Sequence, residues 1–411
     1  MSHAAPANAL RKTALNAAHH SLGGTMVDFG GWEMPLWYPT GAVREHMAVL
    51  TGAGLFDTGH MSVLLAEGAS PRSFLNYAVT KDISGLRMER AAYGVILDAS
   101  GFAVDDVIIY PLAEDRFALV VNAGMADTVI SHMRALPGGD AVRWTDLTGI
   151  CGKIDIQGPA AFSIIKPLVA DADALFASCP YFSFQGDFDF TATKVRLTDG
   201  TPLLLSRTGY TGEQGFELFL PADKAVHLWE SLLREGAPAG LIPCGLAARD
   251  SLRAGAVLPL SHQDIGAWPF INTPWSFALP LAENGAFTKN FHGRAALDPE
   301  KAEHTLAFVG YDPRKVDTQE ATVCREGREI GTVLTAVAEM AIGRVEGKIV
   351  GLNSPDRPEG WNPRGLVCGF VKVRERLQAG CIVTLKDSRR EISVEICADI
   401  RPGRSARKPL R

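Results

Sequence analysis

A chain of 411 residues is longer than one core ordinarily organises, and at roughly 100–200 residues per domain it predicts about three domains. Its 46% apolar and 21% charged residues are globular values, which excludes collagen, coiled coil and wholesale disorder. The net charge of −5 gives no reason to expect nucleic acid as a partner, and no run of 18 apolar residues predicts a membrane span. Seven cysteines without a CxxC pair, and an opening stretch with no apolar core of signal-peptide length, point to a reducing cytoplasm. None of the histidines or cysteines shows a metal-ligand spacing, so no metal is expected.

In chain order, ALRKTALNAAHHSLG has a helical pattern and FGGWEMPLWYP reads as a turn rich in glycine and tryptophan. REHMAVLTGAGLFD predicts a helix stopped by Gly52 and Gly54. From Met61 to about Arg143, strand-like runs (MSVLLAEG, AAYGVILDASG, VDDVIIYPL, RFALVVNAG) alternate with helix-like ones (PRSFLNYAV, MADTVISHMRAL), an α+β pattern with hairpins. KIDIQGPAAFSIIKPLV predicts a strand, a turn at Gly158 and Pro159, and a helix. From about His304 the rhythm changes to short β runs between turns, predicting an all-β domain. The basic tail DIRPGRSARKPLR is expected to fray or to drape over the surface.

Three stretches carry chemistry-bearing side chains. In SRTGYTGEQGFEL, Gly209, Gly212 and Gly215 would let a loop turn sharply and press its backbone on a ligand, with Tyr210 and Glu217 at its ends. A hairpin with a glycine-rich turn is the plainer alternative. In ASGFAVDDVIIYPL, strand alternation sends Asp105 and Asp106 to opposite faces, so one of them points inward and needs a partner. A solvated pair at a loop end is the alternative. In CGLAARDSLRAG, Arg249 and Arg253 stand at i, i+4 on one helical face, suited to holding a carboxylate in forked hydrogen bonds or to forming a surface salt bridge.

Taken together, GGTMVDFGGWEMPLWY, EHMAVLTGAGLFDTGHM, VDDVIIY, LVVNAG, IQGPAA, SRTGYTGEQGFEL and CGLAARDSLR occur in an order and spacing that resembles the aminomethyltransferase family, the T-protein of the glycine cleavage system. The resemblance spans roughly residues 10–300 and continues more loosely through GREIGTVLTAV. It implies an α+β cloverleaf of three domains around a central folate cavity, with a C-terminal β-barrel or jelly-roll-like domain. The expected division is 1–55 plus 147–300 for a discontinuous folate-binding domain, 56–146 for a ferredoxin-like α+β domain and 301–411 for the β domain.

By position, the resemblance implies that Asp106 is the catalytic carboxylate. It implies that Tyr93, Asn122, Tyr210, Glu217 and Arg249 bind tetrahydrofolate, the one-carbon acceptor, with Glu217 accepting hydrogen bonds from the pterin. The family's RDTLRLEAGMPLYG is answered here by RDSLRAGAVLPLSH, so that Gly255 replaces a glutamate, Val257 a glycine, and Ser261 and His262 a Tyr-Gly pair. TPLEAGLGW is answered by TPWSFALPL, putting Ser276 and Leu281 where Glu and Trp are expected. These departures follow the folate-binding arginine and leave the donor open. The implied partner is the lipoylated H-protein of a true T-protein, with release of ammonia. A small N-, O- or S-methyl compound is the donor if the chain is instead a demethylase. A non-catalytic folate-binding assembly factor is disfavoured, because the cysteine motif of that class is replaced by GYTGEQGFE.

Overall fold

The computed structural model describes residues 9–410. The period-two runs after Met61 form a five-stranded antiparallel sheet in the order Ala92–Leu97, Ala103–Ala113, Arg116–Val121, Ser62–Glu67, Arg143–Asp146. Helices Pro71–Ala78 and Ala126–Ala135 cover one face, where Phe74, Leu75, Val129 and Met133 pack on Ile109, Leu119 and Val121. The opposite face offers Val63, Tyr110, Ala118 and Val120 to Phe184, Leu204 and Phe219 of a second sheet.

That second sheet has six strands in the order Phe184–Gln185, Leu204–Ser206, Gly215–Pro221, Cys151–Gln157, Ala53–Asp57, Leu241–Pro243. Only the last pair is parallel. Ile154, Ile156, Phe216 and Leu218 on its far face are buried beneath Leu228, Trp229 and Leu232 of helix Ala225–Gly236. Its near face carries the residues that concern function.

The predicted C-terminal strands close into a six-stranded barrel, which leaves no sheet edge exposed. Strands Ile342–Val345 and Lys348–Gly351 form a separate hairpin outside that barrel. A buried ionic node ties the barrel to the rest of the molecule. Glu339, at the end of barrel strand Arg328–Glu339, lies 2.6 Å from His46 Nε2 and accepts a hydrogen bond from Arg401, while the other nitrogen of His46 is 2.8 Å from the Ser251 hydroxyl. Burial alone would raise the Glu339 pKa, but His46 and Arg401 outweigh it and hold the carboxyl at about 2. A Cβ on Gly255 would collide with this carboxylate, so the barrel delivers an acid to the place where the family motif has a glutamate of its own.

Two local expectations change. The helical pattern at the start yields only Asn16–Ser21, because Arg11 pairs with Trp32 and the Thr13 hydroxyl donates to Asp57 at 2.6 Å, holding that segment extended. Gly52 alone ends helix Ala42–Thr51, whereas Gly54 lies inside the next strand, where a Cβ would collide with Val49. The glycine-tryptophan turn is a hairpin, Thr25–Phe29 with Trp32–Trp37. Its Gly30 and Gly31 have φ of 59° and 81°, the left-handed values a tight hairpin turn needs. Among the described residues no helix is long and apolar enough to cross a membrane.

Candidate active site

Where the two sheets face each other, a cavity of about 1090 Å³ opens, lined by Tyr93, Asp106, Asn122, Tyr210, Glu217 and Arg249 together with Lys153 and His60. All six residues singled out from the sequence therefore meet on one surface, although they span more than 150 positions. Seven Lys and Arg against three Asp and Glu line it, a basic cavity within an acidic chain.

One end is built by alternation along Ala103–Ala113. Ile108 and Tyr110 pack toward the second sheet, and Val107 and Ile109 toward the helices, which puts Asp106 on the cavity side and Asp105 behind it. The Tyr93 hydroxyl donates to Asp106 Oδ2 at 2.9 Å. The Asn122 side-chain amide donates to both carboxylates, at 2.5 Å to Asp106 and 2.7 Å to Asp105, and its backbone N–H donates to Asp105 at 2.9 Å. The Ser261 hydroxyl adds a third donor to Asp105 at 2.8 Å, and the Asp106 backbone N–H a fourth at 3.0 Å. Among the described residues no Lys or Arg pairs with either acid, and the one basic group within 4 Å is His262, whose Nε2 is 3.8 Å from Asp105. Burial therefore raises both carboxyl pKa values, and the charge of Asp105 raises Asp106 further. Burial and the neighbouring Asp106 push Tyr93 well above the ordinary phenol range, so it stays a donor.

The other end treats its acids differently. Strand Cys151–Gln157 alternates apolar Ile154 and Ile156 with Lys153, Asp155 and Gln157, and Glu217 pairs across the ladder with Asp155. Lys153 donates to Asp155 at 2.6 Å and to the Thr58 hydroxyl at 3.0 Å, and Arg249 reaches the other Asp155 oxygen at 3.1 Å. Burial would raise Asp155, but these two cations outweigh it and hold its carboxyl below the usual range. Glu217 gains less. Lys153 stands 3.4 Å from its Oε2, which is buried and accepts no hydrogen bond, and burial raises its pKa against the pull of Lys153. The Arg249 guanidinium lies 4.8 Å from the centre of the Tyr210 ring, and the Tyr210 hydroxyl donates to the Pro259 carbonyl.

Arg253 does not share the task of Arg249. It turns into the interior, donating to Asp250 at 2.8 Å, to Thr335 at 3.0 Å and to Asp264, and so braces helix Leu246–Gly255 on the barrel. The glycines of SRTGYTGEQGFEL do form a hairpin connection, between Leu204–Ser206 and Gly215–Pro221, and Gly209 and Gly212 also border the cavity. Their missing side chains make room for the protein's own atoms. A Cβ on Gly209 or Gly215 would strike the Gln157 side chain, and one on Gly212 would lie 2.7 Å from Ala256 and from Arg404.

Sequence reasoning missed Lys153 and Asp155, although polar residues at every second place in a wholly buried strand signal a polar cavity wall. It also missed the reach of Ser261 and His262 to Asp105. Of the two courses expected for the basic tail, the structure shows draping. That tail drapes over the glycine-rich loop. The Ser405 hydroxyl donates to Glu213 at 2.6 Å and accepts from the Gln214 N–H at 2.9 Å, while Arg404 and Arg407 border the cavity.

The model of the GCVT N-terminal domain matches residues 15–268. Aminomethyltransferase of Streptomyces avermitilis is 38% identical over 346 residues, covering 82% of this chain and 88% of that protein. The Bacillus subtilis aminomethyltransferase is 34% identical over 338 residues, covering 82% and 89%. Among solved structures, the glycine cleavage system aminomethyltransferase T of Bartonella henselae superposes with a TM-score of 0.76 at 26% identity, covering 98% of this chain and all of that one. With one cavity joining all six residues and kinship over four-fifths of its length, the chain belongs to the GCVT family of aminomethyltransferases.

Proposed function

We propose that the chain is a tetrahydrofolate-dependent aminomethyltransferase, taking an aminomethyl group from the lipoyl arm of an H-protein and releasing ammonia. The observation that carries this reading is the buried Oε2 of Glu217, which accepts no hydrogen bond, on the wall of a cavity whose far end is bordered by Asp106. A buried carboxylate oxygen without a donor costs about 1–3 kcal/mol, and a ligand with a ring N–H removes that cost. The size of the cavity and its basic lining suit a flat heterocycle bearing an anionic tail. When bound, tetrahydrofolate would supply the nitrogen that accepts the one-carbon unit.

The residues divide the remaining work. Glu217 orients the ring, with Arg249 and Tyr210 forming a rigid wall beside it. Such positioning is worth effective molarities of about 10⁵ M or more. Asp106, its pKa raised by burial, holds a proton near neutrality and gives it to the departing amine; once ionised, it stabilises positive charge developing on the one-carbon unit. Tyr93 and Asn122 fix the orientation of the carboxyl. Residues 1–55 with 147–300, 56–146 and 301–411 are taken as three domains that each contribute to the cavity wall.

Incubation with tetrahydrofolate and an aminomethylated lipoyl carrier is expected to yield ammonia and methylenetetrahydrofolate. A panel of methylated amines, ethers and sulphonium compounds forms the second arm. Methyltetrahydrofolate from a small donor would make the chain a demethylase, and no product in either arm overturns the folate reading.

A further inference from the structure

Two of the departures from the family motif, Ser261 and His262, converge on the same buried carboxylate. The Ser261 hydroxyl donates to Asp105 Oδ1 at 2.8 Å, and His262 Nε2 lies 3.8 Å from that oxygen. The imidazole is 48% exposed and Asp105 is not. Asp106 borders the cavity; neither Asp105 nor His262 does. His262 therefore approaches the acid pair from the solvent side, behind the cavity. Its backbone holds φ at 63°, a left-handed value that strains a non-glycine residue and that fits the glycine of the family motif.

We propose that His262 is a positioning residue that sets the charge of the Asp105–Asp106 pair from outside the cavity. The groups facing the pair are Tyr93 on the adjacent strand, Tyr210 of the glycine-rich loop, and the neutral donors Asn122 and Ser261. None of these is a cation. Asp264, on the same loop as His262, is committed to Arg253, Thr335 and the Leu260 N–H. A protonated imidazole at this distance stabilises ionised Asp105. The negative charge on Asp105 then keeps the pair's single proton on Asp106, the member that faces the cavity. The value of this arrangement to turnover rests on the transferase reading, but the electrostatic effect does not.

The test reads the carboxyls directly, without ligand. Protein labelled with ¹³C at the aspartate carboxyl carbon is titrated by NMR, with Asp105→Asn and Asp106→Asn identifying the two signals. His262→Gln and His262→Gly are expected to raise the midpoint of the pair by about half to one pH unit, since an adjacent cation shifts a carboxyl by about 1–3 units and exposure screens part of that. His262→Lys is expected to leave it at or below that of the parent. The glycine variant also relieves the left-handed backbone, so folding is preserved. Titrations of the Gln and Gly variants that superimpose on the parent, or a Lys variant shifted upward with them, would overturn the inference. Loss of folate-dependent activity with these shifts intact would instead sink the transferase reading alone.

Discussion

Asp105 and Asp155, behind opposite ends of the cavity, are both fully buried and acquire opposite properties. Asp155 sits between Lys153 and Arg249 and is held ionised, whereas Asp105 and Asp106 have hydrogen-bond donors but no Lys or Arg and are pushed toward neutrality. Burial is common to both, so the nearby cation decides the outcome. The cationic end is a rigid wall, and the end without one keeps a proton available for transfer.

The largest effect that would break this contrast is at the proton-holding end. Asp106→Asn is expected to lower single-turnover transfer about 10²–10⁴-fold while leaving folate affinity, measured by fluorescence quenching, nearly unchanged. Weakened binding with full turnover of the remaining complex would reverse the roles of the two ends. Lys153→Met is expected to cost about 3 kcal/mol in urea unfolding, the lower range for breaking a buried ion pair, because Asp155 keeps Arg249. A neutral result would mean that the cationic wall is not what holds Asp155.

Glu217→Ala should weaken folate binding by about 1–3 kcal/mol in calorimetry, with little change in the rate once bound. Unchanged affinity would remove Glu217 from the ligand contact. The smallest effect concerns pH. The raised folded pKa of Asp106 means that its contribution to stability is lost as pH rises from the unfolded value through the folded one, so Asp106→Asn should gain on the parent between about pH 4 and 7, by about 1.4 kcal/mol per unit of elevation. Asp155, with its depressed pKa, contributes above the unfolded value and loses that contribution as pH falls through the folded one. The deficit of Asp155→Asn should therefore shrink only below about pH 4. Parallel pH curves for the two variants would erase the distinction.

Local order was largely legible in the sequence because strands and helices announce themselves through period and turn chemistry. The hairpins between Ala92 and Val121 and the change of rhythm at His304 are of that kind. The segment before Asn16 was not, because its extended course is imposed by Asp57 and Trp32, which are distant in sequence. At the cavity, linear motifs named Asp106 and Glu217, yet the partners that determine their charge arrive from elsewhere. Lys153 comes from a central strand and Ser261 from a loop more than 150 residues beyond Asp105. Arg249 and Arg253 share a helical face by spacing, but the nearness of Asp264 to one of them, which no spacing rule contains, gives them different work.

The draped tail has a consequence for biosynthesis. Arg401 donates to the carbonyl of Thr211 and Ser405 bonds Glu213, so the loop around Tyr210 is fastened by residues made almost two hundred positions later. A nascent polypeptide emerging from the ribosome can complete its strands and helices in turn, but the vestibule for its ligand is finished only when this late segment has been released.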